Sequence, residues 1–174
     1  MTREKVQVSM AKAQALTLLL TVGAFLLEAL LFLLIRGGIP PLHVGPLGFV
    51  LAAILGIFAH EAIHGLAFLT VGKASWKDIR FGILWKYLTP YCHCQKPLTR
   101  RAYRISLWAP AVILGLLPMA VGLILPSSGW GLFGVFFFGA AGGDLALDHA
   151  VKKVPPDARL LDHPSELGFF ILSD

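Results

Sequence analysis

Apolar residues run almost without interruption through four stretches of the chain, near Ala13 to Ile35, Leu47 to Val71, Ala102 to Leu125 and Leu132 to Val151. Each is long enough to cross a hydrocarbon layer, which takes about 20 helical residues at 1.5 Å apiece. Between the second and third stretches the period changes. Ile79, Phe81, Ile83, Trp85 and Tyr87 alternate with Arg80, Gly82, Leu84, Lys86 and Leu88, a period of two that predicts a β-strand, and a second short strand can follow Pro90. Gly37-Gly38 turn the chain after the first stretch, and Pro155-Pro156 stop the fourth helix. The predicted fold is an all-α membrane protein with four transmembrane helices. A short β-hairpin lies in the loop between helices two and three. The 174 residues form a single integral membrane domain with a tail over 152–174, polar at first and apolar from Leu167 to Leu172.

Composition agrees with the pattern. Hydrophobic residues are 56% and charged residues 14%, too few polar groups to cover a water-facing globule, which excludes a disordered tail and an ordinary cytosolic enzyme. The formal net charge of +5 raises the question of nucleic acid, but the placement of the cations answers it. Of the 15 Lys and Arg, 14 lie in the N-terminal segment, the middle loop with the first turn of the third helix, and the tail; only Arg36 lies on the other side. By the positive-inside rule both termini and the long loop face the cytoplasm, and the basic surface faces lipid headgroups rather than nucleic acid. The expected location is the cell membrane, as a multi-pass protein. The first stretch exceeds a signal-peptide core and lacks a small-x-small cleavage site before Gly37, so it reads as a mature helix. Cys92 and Cys94 fall in the cytoplasmic loop, where thiols stay reduced.

The chemistry concentrates in the second helix, at His60-Glu61-Ala62-Ile63-His64. Positions i and i+4 share a helix face, so both imidazoles can bind one Zn²⁺ while Glu61 stands beside it, able to take a proton from bound water. A catalytic zinc needs a third protein ligand and an open position. Depth points to Asp144: His64 lies about eight residues from the inner end of helix two, Asp144 about eight from the inner end of helix four, both roughly 12 Å deep at helical rise. Gly142 and Gly143 just before it allow close approach of helices. Asp148, one turn nearer the cytoplasm, is an alternative ligand or an orienting partner for an imidazole, and His149 suits the interface. Glu28 in helix one, roughly 22 Å from the inner end, is too far out to reach this metal and is either protonated or bonded to a neighbouring helix. Pro110 and Pro118 predict kinks in helix three.

His60-Glu61-x-x-His64 in a membrane span, followed by a strand-bearing inner loop and an aspartate in a later span, resembles the site-2 protease group of intramembrane zinc metalloproteases. It is similar more closely to small bacterial multi-pass proteins described as putative zincin peptidases. That likeness rests on His60-Glu61-x-x-His64-Gly65, His93-Cys94, Ala109-Pro110 with Pro118, and Gly143-Asp144, over roughly residues 55–150. Leu145 stands where site-2 proteases usually carry glycine, and their Asn-Pro-rich motif is missing. The resemblance implies a zinc metalloprotease acting on membrane or membrane-associated proteins near the cytoplasmic side. Zinc is held by His60, His64 and Asp144, and Glu61 is the general base. His93 is the candidate donor to the oxyanion, and a substrate made extended is held by β-addition to the strand near Ile79 to Leu88. Two other readings remain: a zinc-binding or metal-transporting membrane protein with the same ligands, and a scaffold that binds a partner's transmembrane segment. Ionisable groups at one depth weigh against the transporter, and retention of Glu61 against the scaffold.

Overall fold

The computed structural model describes residues 2–85 and 89–173; Lys86, Tyr87 and Leu88 of the expected strand lie outside these residues. Strand β1 (Thr2–Gln7) leads into α1 (Met10–Arg36), whose first turn is capped by the Ser9 hydroxyl accepting from the Lys12 N–H at 3.3 Å. Gly37 ends it at φ 74°, a left-handed conformation that glycine adopts without strain. Helix α2 (Pro46–Thr70) opens with proline in its first turn, where no N–H is needed. Helix α3 (Arg100–Pro110) is capped by the Thr99 hydroxyl and runs through a π-helical turn at Ala111–Leu116 into α4 (Leu117–Ile124). This wider turn lies between Pro110 and Pro118, a shift in hydrogen-bond register ahead of a residue that has no N–H to donate. Arg36 donates to the carbonyls of Leu123 and Ile124 at 2.7–3.0 Å, a cation on the unsatisfied end of α4.

Among the described residues, three helices are long and apolar enough to cross a membrane, over 10–36, 46–70 and 100–124. A fourth is reached if α5 (Ser128–Ala140) and α6 (Gly142–Val151) count as one span, bent by 44° at Ala141. The expected continuous helix over 132–151 is therefore broken. Three glycines within five residues, Gly139, Gly142 and Gly143, weaken the helix there, and the chain restarts so that Asp144 falls in the first turn of α6. Large apolar side chains such as Leu19, Leu34, Leu55 and Phe58 remain exposed along the helices, the surface that lipid would cover.

Two sheets sit at one end of the helices. Strands β2 (Ile79–Leu84) and β3 (Thr89–Cys94) pair antiparallel, Ile79 opposite Cys94 and Leu84 opposite Thr89. The second sheet has the order β1-β6-β5-β4, all antiparallel, with β4 (Leu98–Thr99), β5 (Arg159–Asp162) and β6 (Gly168–Ser173). An all-α body with one hairpin does not anticipate this sheet. It joins the two ends of the chain to the start of α3 and packs Leu160, Phe169 and Leu98 against Tyr103, Val151 and Val154. Burying that apolar surface is what holds the tail down.

Candidate metal centre

His60 and His64 lie one turn apart on α2, both buried, with rings meeting edge to face at 4.9 Å. Their Nε2 atoms are 3.2 Å apart. Asp144, half-buried at the start of α6, places Oδ2 at 3.1 Å from His60 Nε2 and Oδ1 at 3.3 Å from His64 Nε2. His64 Nδ1 donates to the Ser106 carbonyl of α3 at 2.9 Å, which fixes the ring and leaves the Nε2 lone pair directed at the cluster. Three helices thus set this one group of atoms.

The donor set answers whether a metal suits it. Two imidazole nitrogens and a carboxylate, all lone-pair donors, gather within 4.8 Å of one another with no fixed cation between them. A tetrahedral zinc with bonds of about 2.0–2.1 Å sets its ligand atoms about 3.3 Å apart. The two imidazole nitrogens, 3.2 Å apart, match that edge, and each has a different Asp144 oxygen at 3.1–3.3 Å, so the residues fit zinc.

Glu61 projects from the same turn of α2 into a cavity of about 320 Å³ that it shares with His60, His64 and Asp144. Cys92 and His93 of β3 line the same cavity across from it. Gly65 explains how the hairpin comes so close: a Cβ there would lie 3.1 Å from the Phe81 ring and 3.5 Å from the Cys92 sulfur. Gly143 leaves open space beside the cavity, whereas Gly142 packs on Thr17 of α1. The close approach expected of the glycine pair is made by Gly142 alone, and with α1 rather than α2.

His93 also lines the cavity, stacked on Tyr91 at a ring distance of 4.2 Å, and burial lowers its pKa, which keeps the imidazole neutral. Cys92 and Cys94 are buried free thiols outside the metal cluster. Burial, and then the Glu61 carboxylate, push the Cys92 thiol well above its ordinary range. The cavity is walled by β3, and among the described residues of β2 only Leu84 reaches it. The alternating pattern could not say which strand faces the helix.

Asp148, the alternative ligand, turns elsewhere. Its side chain is 2% exposed and bonds Arg104 Nε at 2.6 Å, with the Lys152 ammonium at 3.3 Å. His149 is exposed, as an interfacial residue should be. Glu28 is buried against Gly131 and Phe32, and neither carboxylate oxygen has a hydrogen-bond partner among the described residues.

The tail supplies residues that sequence reasoning passed over. Asp162 on β5 accepts the Tyr103 hydroxyl at 2.5 Å and the Cys94 N–H at 2.7 Å, tying the hairpin to α3 beside the cavity. Burial raises its carboxyl above the ordinary range. Glu166, Leu167 and Gly168 close another wall, with Glu166 paired to Lys5 from the N-terminal segment. The Asp162-His163 pair ahead of an apolar run was the one local sign of this.

Residues 53–159 match the profile of a protein family described as "Putative zincin peptidase". The matched stretch holds His60, Glu61, His64, His93 and Asp144 and leaves out β1 and β6. No curated protein and no solved structure matches the chain.

Proposed function

The chain belongs to this putative zincin peptidase family, and from that premise we propose that it is a membrane-embedded zinc metalloprotease. It hydrolyses peptide bonds of membrane or membrane-associated proteins near the cytoplasmic side of the cell membrane. The observation that carries the reading is the single cavity into which Glu61 and the cluster of His60, His64 and Asp144 all open. A site meant only to hold a metal has no use for a carboxylate poised beside it.

His60, His64 and Asp144 are the ligands. Zinc held there would supply a water of lowered pKa, toward about 7, and a Lewis acid for the substrate carbonyl. Glu61, which opens into the same cavity, would accept the proton of the attacking water as the water oxygen bonds to the peptide carbon. It returns that proton to the amide nitrogen as the C–N bond breaks. Neutral His93 donates a hydrogen bond to the developing oxyanion from the β3 wall. A helical substrate must become extended first, because its carbonyls are bonded within the helix. It then lies between α2 and β3. The 14 basic residues on one side favour cytoplasmic termini.

The test uses the full chain in detergent or proteoliposomes. Wild type is expected to hold about one zinc per chain. Glu61→Gln keeps that zinc and loses at least about 100-fold in cleavage rate, the scale of general-base catalysis. Undiminished cleavage by Glu61→Gln would exclude the mechanism, and a zinc-free wild type would exclude the centre. Zinc flux across the membrane without cleavage would favour the transporter reading.

A further inference from the structure

A second groove, of about 520 Å³, opens away from the metal cavity and is lined by Arg100, Arg101, Arg104, Ile105, Trp108 and Pro156. Three arginines in the first five residues of α3 run against local helix physics. A helix N-terminus carries partial positive charge and favours acidic residues, yet the first turn of α3 has none. Neighbouring groups offset this charge only in part. Arg104 is paired with Asp148, and Arg100 donates one Nη2 hydrogen bond to the Lys152 carbonyl at 2.9 Å. Arg101 is exposed at the mouth. Guanidinium forks match phosphate oxygens in pairs, and they converge here with the positive end of the helix.

The same face continues as hydrocarbon. Ile105 lines the groove, and Val112 and Leu116 follow it at helical spacing, all exposed, with the Trp108 ring between the charged and apolar parts. From Arg101 to Val112 the helix rises roughly 16 Å, within reach of an acyl chain. Charge at one end, an aromatic ring at the boundary and an apolar strip beyond it reproduce the order of a phospholipid from headgroup to tail.

We propose that the groove at the start of α3 is a specific binding site for one anionic phospholipid, its phosphate held by Arg100 and Arg101 and its acyl chain laid along Ile105 and Val112. The inference rests on residues 100–124 crossing a membrane and is independent of whether the protein cleaves peptides. It differs from general attraction to a negative surface in having an address. Lys153 and Lys73 carry equal charge at the same end of the molecule without lining the groove.

Trp108 is the reporter. The full chain with the exposed Trp76, Trp85 and Trp130 changed to Phe is reconstituted in phosphatidylcholine nanodiscs holding a minor fraction of phosphatidylglycerol. Bromine is carried on the acyl chains of one lipid or the other. Brominated phosphatidylglycerol is expected to quench Trp108 more strongly than brominated phosphatidylcholine at equal fraction. Arg101→Gln, which removes no hydrogen bond of the fold, should weaken that preference about fivefold, and Arg100→Gln/Arg101→Gln should abolish it. Lys73→Gln/Lys153→Gln should change it less than about twofold. Equal quenching by the two lipids overturns the site, as does an equal loss in the lysine variant, which would reveal a diffuse field. Displacement of the lipid by millimolar inorganic phosphate would overturn the lipid as occupant in favour of a free phosphate.

Discussion

Asp144 and Asp148 lie one turn apart on α6, yet the first faces two imidazole nitrogens and the second faces the guanidinium of Arg104 and the ammonium of Lys152. Both carboxylates are taken largely out of water, and each needs its charge compensated. Asp148 carries its compensation in the fold, from two cations that are always present, so it offers nothing to a metal. Asp144 meets only groups with lone pairs of their own. Asp144 and the two imidazoles thus form a set of donors that could hold a metal ion, and Asp148, a turn further along, does not join it.

That contrast breaks most sharply in zinc affinity. Asp144→Asn, measured by competition with a chromophoric chelator, is expected to weaken zinc binding more than about 100-fold, beyond the 10- to 100-fold scale of an outer-sphere change. Asp148→Asn should stay within about tenfold of wild type. Equal losses in the two variants would erase the distinction. The second effect runs the other way: Asp148→Asn weakens the charge-assisted bond to Arg104 and is expected to cost about 2 kcal/mol of stability, a fall of several degrees in Tm, while Arg104 keeps partial access to solvent.

A third carboxylate, Asp162, is buried, and burial raises its pKa although the Tyr103 hydroxyl and the Cys94 amide donate to it. The folded protein therefore keeps this proton to higher pH than the unfolded chain does. Its contribution to stability is fully present below the ordinary carboxylate range and is lost as pH rises through the raised value. Unfolding followed across that interval should show a decline in the stability of wild type that Asp162→Asn removes. An unchanged slope in the variant would mean that another group titrates. The smallest effect concerns the hairpin. Gly65→Ala adds a methyl group 3.1 Å from the Phe81 ring, while alanine favours the helix by about 1 kcal/mol. The two offset, so stability should change by less than about 1 kcal/mol, zinc should stay bound, and cleavage should fall severalfold as β3 shifts from Glu61.

The residues that meet at the candidate metal centre were legible because their geometry is local or nearly so. His60, Glu61 and His64 follow from the helical repeat, and Asp144 from counting residues to the inner end of its span. The hairpin was legible from its alternation, though not which strand would wall the cavity. Asp162 and Glu166 were not, since their roles depend on a sheet that joins Thr2–Gln7 to Gly168–Ser173 across nearly the whole chain. Neither strand signals its partner: β1 reads as a short polar segment, and pairing over such a distance leaves no periodic mark.

What the sequence determined by itself was the apolar helices and the residues that one helix face brings together. Hydrocarbon thickness fixes helix length, and helical pitch puts His60 and His64 on one face. Tertiary structure decided between two aspartates on one helix, broke the last span so that Asp144 opens α6, and folded both ends of the chain against the cavity. Those outcomes depend on which charges and apolar faces meet across elements far apart in the chain, a matter of packing that no window of neighbouring residues contains.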